Sequence, residues 1–187
     1  MIGLEAGVVK LVPYDVGWQR LFMEEKVLLE TAVNQHILTI QHVGSTAIPG
    51  MVAKPIIDIG IAVDNYEAAA ACIAPIEQLG YRYRGENGIP RRHYFCKGKP
   101  RTHHIHINEI GSEAWANHIL FRDYLIQYPE KAAEYASLKV DLAQKYRTER
   151  QRYSLGKDAF VAEVLRLAQG VMSNPNEEAE AIDASAS

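Results

Sequence analysis

The chain has 187 residues and a net charge of −3. Its length favours one globular domain. Its hydrophobic content of 48% is ordinary for a protein with one core. No run has the roughly 20 apolar residues of a membrane span, and the first ten residues lack the features of a signal peptide. The two cysteines are too few for a disulfide framework or a zinc cluster. We therefore expect a reduced, cytoplasmic protein without a membrane partner.

Hydrophobic spacing and turn residues predict the elements of the chain in order. Trp18, Phe22 and Leu29 recur at helical intervals and predict an amphipathic helix over about 16–34. Alternating or β-branched runs bounded by turn residues predict strands over 38–43, 55–63, 81–84, 91–97 and 102–108.

Four further helices are predicted from capping residues and proline positions. Asp64-Asn65 can cap a helix that ends near residue 79, although Pro75 should kink or shorten it. Ser112 is a suitable N-cap for the next helix, and Pro129 can occupy the first turn of another. The last helix is expected over about 154–169. The second half of the chain is therefore predicted to be helical.

These elements predict an α/β fold of the α+β type, with a small mixed β-sheet flanked by helices and a helical C-terminal extension. Helices between strands are too few for a doubly wound parallel sheet. Residues 1–171 are expected to form the domain. Residues 172–187 contain four acidic and no basic side chains and few bulky apolar ones, which predicts a disordered acidic tail.

Positive charge is concentrated in residues 82–106, which contain seven lysines and arginines against the single acid Glu86. Such a local excess is expected either for an anionic partner or for a solvated hairpin with scattered charge. No basic recognition helix stands out, so sequence-specific DNA binding is not expected.

Strand alternation places a carboxylate and two histidines on sheet faces. Asp58 shares one face of its strand with Gly60, where it is expected to look over open space, because a glycine leaves room for a ligand or for a nearby backbone. His104 and His106 likewise share one face of a later strand. The histidine pair could meet one metal ion or one phosphate, with Asp58 as a third group, or it could belong to a polar sheet surface in which one histidine is simply hydrogen-bonded.

A Gly-Ser-Thr turn at 44–46 precedes the strand that carries Asp58. Its backbone N–H groups and two hydroxyls could cradle a phosphate, although such turns are common. Three cations lie on predicted apolar helix stripes, namely Arg122, Lys139 and Lys157. Each could extend its head group to solvent, or all three could face a shared cleft that contains acidic or phosphate groups.

Five segments of the chain closely resemble the GrpB family. They are HVGSTAIPGMVAKPIIDI, GIPRRHYFCKG, RTHHIHI, FRDYL and YSLGKDAFV, and the resemblance covers about residues 9–168 in order. It implies the fold of the nucleotidyltransferase superfamily, a small mixed sheet with helices and a helical extension. Some members of the family are similar to a domain fused to dephospho-CoA kinase.

The resemblance also implies roles for individual residues. The superfamily pattern is a Gly-Ser turn followed by a strand with two carboxylates at alternate positions, and Gly44-Ser45 and Asp58 match its first parts. Gly60 occupies the second carboxylate position and cannot bind metal, while His104 and His106 occupy the strand that usually supplies a third. A pair of magnesium ions would therefore be poorly held, which argues against standard nucleotidyl transfer.

Two functions from different classes remain open at this point. In the first, Asp58, His104 and His106 are catalytic and hold one divalent ion, magnesium, manganese or zinc, for nucleotidyl or phosphoryl transfer. In the second, the chain is a non-catalytic module that binds a nucleotide or a coenzyme A-related ligand. Both assign the phosphates to the same residues: Gly44, Ser45, Thr46, Lys54, Arg92, Arg101, Arg122, Lys139 and Lys157. The partner expected in either case is a small phosphorylated ligand, and the sequence leaves the oligomeric state open.

Overall fold

Five strands form one mixed sheet in the computed structural model, which describes residues 2–173. They are β1 (Thr39–Val43), β2 (Ile57–Val63), β3 (Tyr81–Tyr83), β4 (His93–Lys97) and β5 (His103–Glu109). Their order across the sheet is β1-β2-β5-β4-β3, with β2 and β5 parallel and the other neighbours antiparallel. The predicted mixed sheet with flanking helices is confirmed.

Six α-helices within residues 2–173 surround or extend this sheet. They are α1 (Gly17–Val33), α2 (Ile73–Gln78), α3 (Glu113–Gln127), α4 (Pro129–Lys145), α5 (Arg150–Leu155) and α6 (Asp158–Ser173). Helix α3 begins as predicted, because Ser112 Oγ accepts a hydrogen bond of 3.2 Å from Trp115 N. Helix α4 begins with Pro129, where the missing N–H has no intrahelical partner to lose.

Two predicted helices are each divided in the structure. The helix expected to reach residue 79 consists of a 3-10 segment, Ala68–Cys72, and the short α2. Pro75 lies in the first turn of α2, where its missing N–H is tolerated. The helix expected over 154–169 is α5 followed by α6, with a turn at Gly156 and Lys157 between them.

The main core lies between one face of the sheet and helices α1 and α2. Trp18, Leu29 and Val33 of α1 are fully buried against alternate residues of β2 and β5, including Ile59 and Ile105. Burial of such side chains stabilises the fold by roughly 1.5–3 kcal/mol each. Because side chains alternate along a strand, this core directs Asp58, His104 and His106 to the opposite face.

A second apolar cluster fixes the helical half over that opposite face. Ile48 and Met51, which follow β1, pack with Leu125 of α3, Tyr135 of α4 and Val164 of α6. A cavity therefore forms between the polar face of the sheet and helices α4 to α6.

The last helix within the described residues crosses the predicted boundary between the domain and the tail. Helix α6 extends to Ser173, two residues into the segment expected to be a disordered acidic tail, and the rest of that segment lies outside the described residues. Within residues 2–173, no helix is both long and apolar enough to cross a membrane.

Candidate functional site

The centre of the candidate site is a carboxylate that faces two histidines on the neighbouring parallel strand. Asp58 of β2 pairs in register with His104 of β5, and His106 follows two residues later on the same face. Asp58 Oδ1 lies 2.9 Å from His104 Nδ1 and 3.6 Å from His106 Nε2. One ligand atom from each of the three residues lies within 4.8 Å of the others, so the cluster can hold one metal ion.

The protonation states of this cluster suit metal binding. Burial would raise the pKa of Asp58, but contacts with His104 and His106 outweigh burial and hold it well below its usual range. Burial lowers the pKa of His104, although Asp58 opposes that effect. At neutral pH the cluster therefore presents an ionised carboxylate and a neutral His104, the forms that coordinate metals.

The Gly-Ser-Thr turn lies directly against Asp58. Gly44 has φ of 69° and ψ of −172°, a conformation that is essentially restricted to glycine. A Cβ placed on Gly44 would lie 2.7 Å from Asp58 Oδ2, so only glycine permits this close approach. The Thr46 hydroxyl is buried and lies 3.0 Å from His42 Nε2, so it already has a hydrogen-bond partner.

A cavity of about 320 Å³, here called the cationic cavity, extends from this turn and the cluster to helices α4 to α6. Asp58 is the sole carboxylate among the described residues that line it. Five cationic side chains line the same space: Lys54, Arg92, Lys139, Arg150 and Lys157. The cavity thus carries a formal excess of four positive charges when its histidines are neutral and its lysines are protonated.

Lys139 is the most deeply buried of these cations, with 1% of its surface exposed. Its Nζ donates to Ser45 Oγ at 3.1 Å and to the Val52 carbonyl oxygen, and lies 4.6 Å from the centre of the Tyr135 ring. Burial, reinforced by the nearby charges of Lys157 and Lys54, lowers the pKa of Lys139 to about 7. No described carboxylate forms an ion pair with it.

The other two lysines share one aromatic ring. The Nζ atoms of Lys54 and Lys157 lie 5.3 and 4.8 Å from the centre of the Tyr153 ring. Burial, with Lys157 and other cations nearby, lowers the pKa of Lys54 to about 8, and burial also lowers the pKa of Lys157. Aromatic faces stabilise these cations weakly, and an anion would stabilise them further.

Most of the predicted phosphate-binding residues line the cationic cavity together. Gly44, Ser45, Thr46, Lys54, Arg92, Lys139 and Lys157 do so. The prediction that Lys139 and Lys157 face a common cleft with Asp58 is confirmed.

Two of the cations that were predicted to bind phosphate do not line the cationic cavity. Arg122 directs Nη1 to the His42 carbonyl oxygen at 2.8 Å and to Gln41 Oε1 at 3.2 Å, so it fastens α3 to β1. Arg101 precedes β5, where its backbone pairs with Leu4. Helical and turn positions alone could not distinguish these residues from those that face the cavity.

The expected open space beside Asp58 is absent at Gly60. A Cβ placed there would lie 3.1 Å from Val43 Cγ1 and 3.2 Å from Trp115 Cζ3. Gly60 therefore permits close packing of α3 on the sheet, and the cavity opens on the Gly44 side of Asp58 instead.

Arg150 and the aromatic lining of the cavity were not predicted from the sequence. Arg150 begins α5 three residues before Tyr153, so both lie on one helix face, and both line the cavity. That spacing was the available signal. Tyr94 also lines the cavity, since it lies opposite His106 in the β4–β5 pair.

Comparisons with known proteins agree on one family. The model of the family described as GrpB protein matches residues 8–167. The chain is 44% identical over 154 residues to the UPF0157 protein YqkA of Bacillus subtilis, which covers 82% of this chain and 45% of YqkA. The crystal structure of the conserved protein GrpB from Enterococcus faecalis superposes with a TM-score of 0.79 at 35% identity, over 85% of this chain and 96% of that one.

A more distant relative has a named activity. The chain is 29% identical over 180 residues to a protein named dephospho-CoA kinase from Mycolicibacterium paratuberculosis. This match covers 82% of the chain and 42% of that protein.

Proposed function

This chain belongs to the GrpB family, and we propose that its cationic cavity binds the phosphate groups of a small ligand such as a nucleotide. The observation that carries this proposal is the charge of the cavity, where Asp58 is opposed by five lysine and arginine side chains. Such an excess of buried cations is unfavourable without an anion, because each charge has lost much of its hydration.

The arrangement of donors supports phosphate rather than an extended acidic peptide. The cavity is small, and the Lys139 ammonium group lines it next to the Gly44 turn, where it donates to Ser45 Oγ. Several charged donors that converge on about 320 Å³ match a compact group with many acceptor oxygens.

We further propose that Asp58, His104 and His106 hold one divalent ion next to the phosphates. One carboxylate with two imidazoles suits manganese or zinc better than magnesium, which prefers oxygen ligands. A bound ion would polarise a phosphate oxygen and neutralise developing charge, which is the chemistry of phosphoryl or nucleotidyl transfer. In this proposal Asp58 and His104 would orient the ion, and the lysines and arginines of the cationic cavity would orient the phosphates.

A coenzyme A precursor is the second candidate ligand. The likeness to a protein named dephospho-CoA kinase favours it. Such a ligand carries phosphates on a nucleoside and would use the same cations. In that case the site would bind the ligand without transferring a group.

Calorimetric titration with matched variants tests phosphate binding. Tripolyphosphate and ATP are titrated into the wild type, Lys139→Met and Lys145→Met without metal. Lys145 lies on the same helix, is exposed and does not line the cavity, so it controls for loss of a lysine. Binding should be lost or strongly weakened in Lys139→Met alone. Absence of binding by the wild type at millimolar ligand would contradict the proposal.

Two extensions of the titration separate the remaining alternatives. Repeating it with dephospho-CoA in place of ATP tests the second ligand directly. Adding manganese or zinc shows whether an ion and the phosphates bind together, as expected where a metal and several cations share one cavity. Tighter ATP binding with metal would support an ion beside the phosphates. Release of ADP or AMP in the same samples would favour transfer chemistry, and binding without either product would favour a binding module.

A further inference from the structure

A second cavity adjoins the cationic cavity and has a different chemical character. Its volume is about 570 Å³, within the range of roughly 300–1,000 Å³ usual for small-molecule sites. Gly44, Arg92 and Phe121 line both cavities, so the two spaces meet at these residues. We call this second space the ring cavity.

The walls of the ring cavity are mainly apolar. Ile89, Phe121, Val161 and Leu165 contribute much of the surface, with Phe121 at the junction. Arg91 also lines it, but its guanidinium group is paired with Glu109 at 3.0 Å and with Glu67 at 2.9 Å. Arg92, which lines both cavities, donates Nη2 to the Glu86 and Asn87 carbonyl oxygens at 3.1 and 3.0 Å. Both cations of the ring cavity therefore have partners, and no lysine is among its described lining residues.

Two polar side chains stand among these apolar walls. Asn117 and His118 of α3 line the ring cavity. The His118 ring lies 4.9 Å from the His106 ring, measured between ring centres. The Oδ1 atom of Asn117 is buried and has no hydrogen-bond partner among the described residues.

We propose that the ring cavity binds the heteroaromatic base of a nucleotide whose phosphates lie in the cationic cavity; this inference rests on the proposed function and specifies its ligand class. One charged and one neutral cavity that meet at Arg92 and Phe121 match a ligand with a charged end and a flat, weakly polar end.

The polar groups favour a base over a plain alkyl chain. An alkyl occupant would leave Asn117 Oδ1 without a hydrogen-bond partner, whereas the edge of a base offers donors as well as acceptors. The apolar walls and the Phe121 ring can contact the faces of a base, which every nucleobase provides.

The acidic side chains define the orientation of such a ligand. Glu109 and Glu113 line the ring cavity but not the cationic cavity. Glu109 is compensated by Arg91, but Glu113 is not paired with that arginine and would repel phosphates. The phosphates are therefore expected beside Lys139 and Lys157 and the base beside α3.

Comparison of tripolyphosphate with nucleoside triphosphates tests this inference. The four common nucleoside triphosphates should bind the wild type at least about tenfold more tightly than tripolyphosphate, as expected from base contacts. Ala114→Phe places a ring into the ring cavity and should remove this gain while tripolyphosphate binding stays unchanged. Ala133→Phe, the same substitution on α4 in a separate groove, should leave both affinities unchanged.

A second variant covers the case in which Ala114→Phe does not fold, as judged by circular dichroism. Asn117→Leu preserves side-chain size and should weaken the triphosphates of bases without weakening tripolyphosphate. Equal affinity of the wild type for tripolyphosphate and all four nucleotides would overturn the base inference and leave phosphate binding intact. Failure of every triphosphate to bind would overturn the proposed function, and the base inference with it.

Discussion

Asp58 and His104 face each other across the parallel strands β2 and β5, with 2.9 Å between Asp58 Oδ1 and His104 Nδ1. The backbone register alone brings these residues together, because they are direct partners in the ladder. A ligand or a metal would therefore meet a carboxylate and an imidazole that already have defined positions.

Replacing Asp58 by asparagine should separate metal binding from phosphate binding. The change removes the single negative ligand and barely alters volume, so manganese or zinc affinity should fall by at least about tenfold. Binding of tripolyphosphate without metal should persist or improve, because the cavity loses its one opposing charge. Calorimetry with metal alone and with tripolyphosphate alone measures both effects.

Asp64→Asn is the matched control, since Asp64 is exposed just beyond the end of β2. It should affect neither affinity. If Asp58→Asn fails to fold while Asp64→Asn folds, Asp58 is a structural anchor for β5 and not a metal ligand. If Asp58→Asn loses metal-free tripolyphosphate binding, the cations do not hold phosphate independently.

The affinity for a phosphate ligand should decrease as the pH rises from 7.5 to 9.5. Lys139 and Lys54 have pKa values of about 7 and about 8, so they lose protons in or just below this interval when the cavity is empty. A bound anion favours their charged forms, and binding should therefore take up protons. Starting at pH 7.5 keeps the ligand fully ionised, above the second phosphate pKa of about 6.

Calorimetry in two buffers of different ionisation enthalpy measures this proton uptake directly. Lys139→Met should reduce the uptake, and Lys145→Met should not. Binding that strengthens with pH, or binding without any proton uptake, would show that these lysines do not contact the anion.

Stability of the ligand-free protein should increase between pH 7 and pH 9. The pKa of Lys139 is lowered from 10.5 to about 7 by folding, so the unfolded chain binds more protons over this range. The destabilisation from burying this charge is complete below the folded pKa and is relieved above it, by up to about 1.4 kcal/mol per pH unit. Urea unfolding at both pH values measures the change.

The contribution of Lys139 is obtained from variants, because other groups also titrate. Lys139→Met should be less dependent on pH than the wild type, whereas Lys145→Met should follow the wild type. Identical pH dependence in all three proteins would contradict the burial of a charged Lys139.

The sequence predicts the direction of a side chain correctly where strand alternation or helical spacing defines it. The face that carries Asp58, His104 and His106 follows from the period of a strand, and Lys139 follows from the apolar stripe of α4. Spacing could not show that the guanidinium group of Arg122 is satisfied by a backbone carbonyl of β1. That outcome depends on how α3 crosses the sheet, which is a property of tertiary packing.

The neighbourhood of Gly60 shows the same limit of sequence reasoning. A glycine on the face of a carboxylate is compatible with a ligand space or with the close approach of another element. Only the packed position of Trp115 distinguishes them, since its ring occupies the space beside Gly60. A second carboxylate at position 60 would therefore collide with Val43 and Trp115, and without it the site lacks a ligand for a second metal ion.

Restoring a carboxylate by Gly60→Asp should destabilise the protein and should not create a second metal site. The new Cβ would lie 3.1 Å from Val43 and 3.2 Å from Trp115, so both neighbours would have to move, and a charge would be buried against an indole ring. Overpacking and burial of an unpaired charge together should cost about 2–4 kcal/mol of unfolding free energy. Gly60→Ala isolates the packing part and should cost about 1–3 kcal/mol.

Chemical denaturation measures both losses, and manganese titration should give no more than one ion per chain in every variant. A stable Gly60→Asp protein that binds two manganese ions would contradict this account, because it would show that α3 can withdraw from the sheet and that the site accepts the two-metal arrangement.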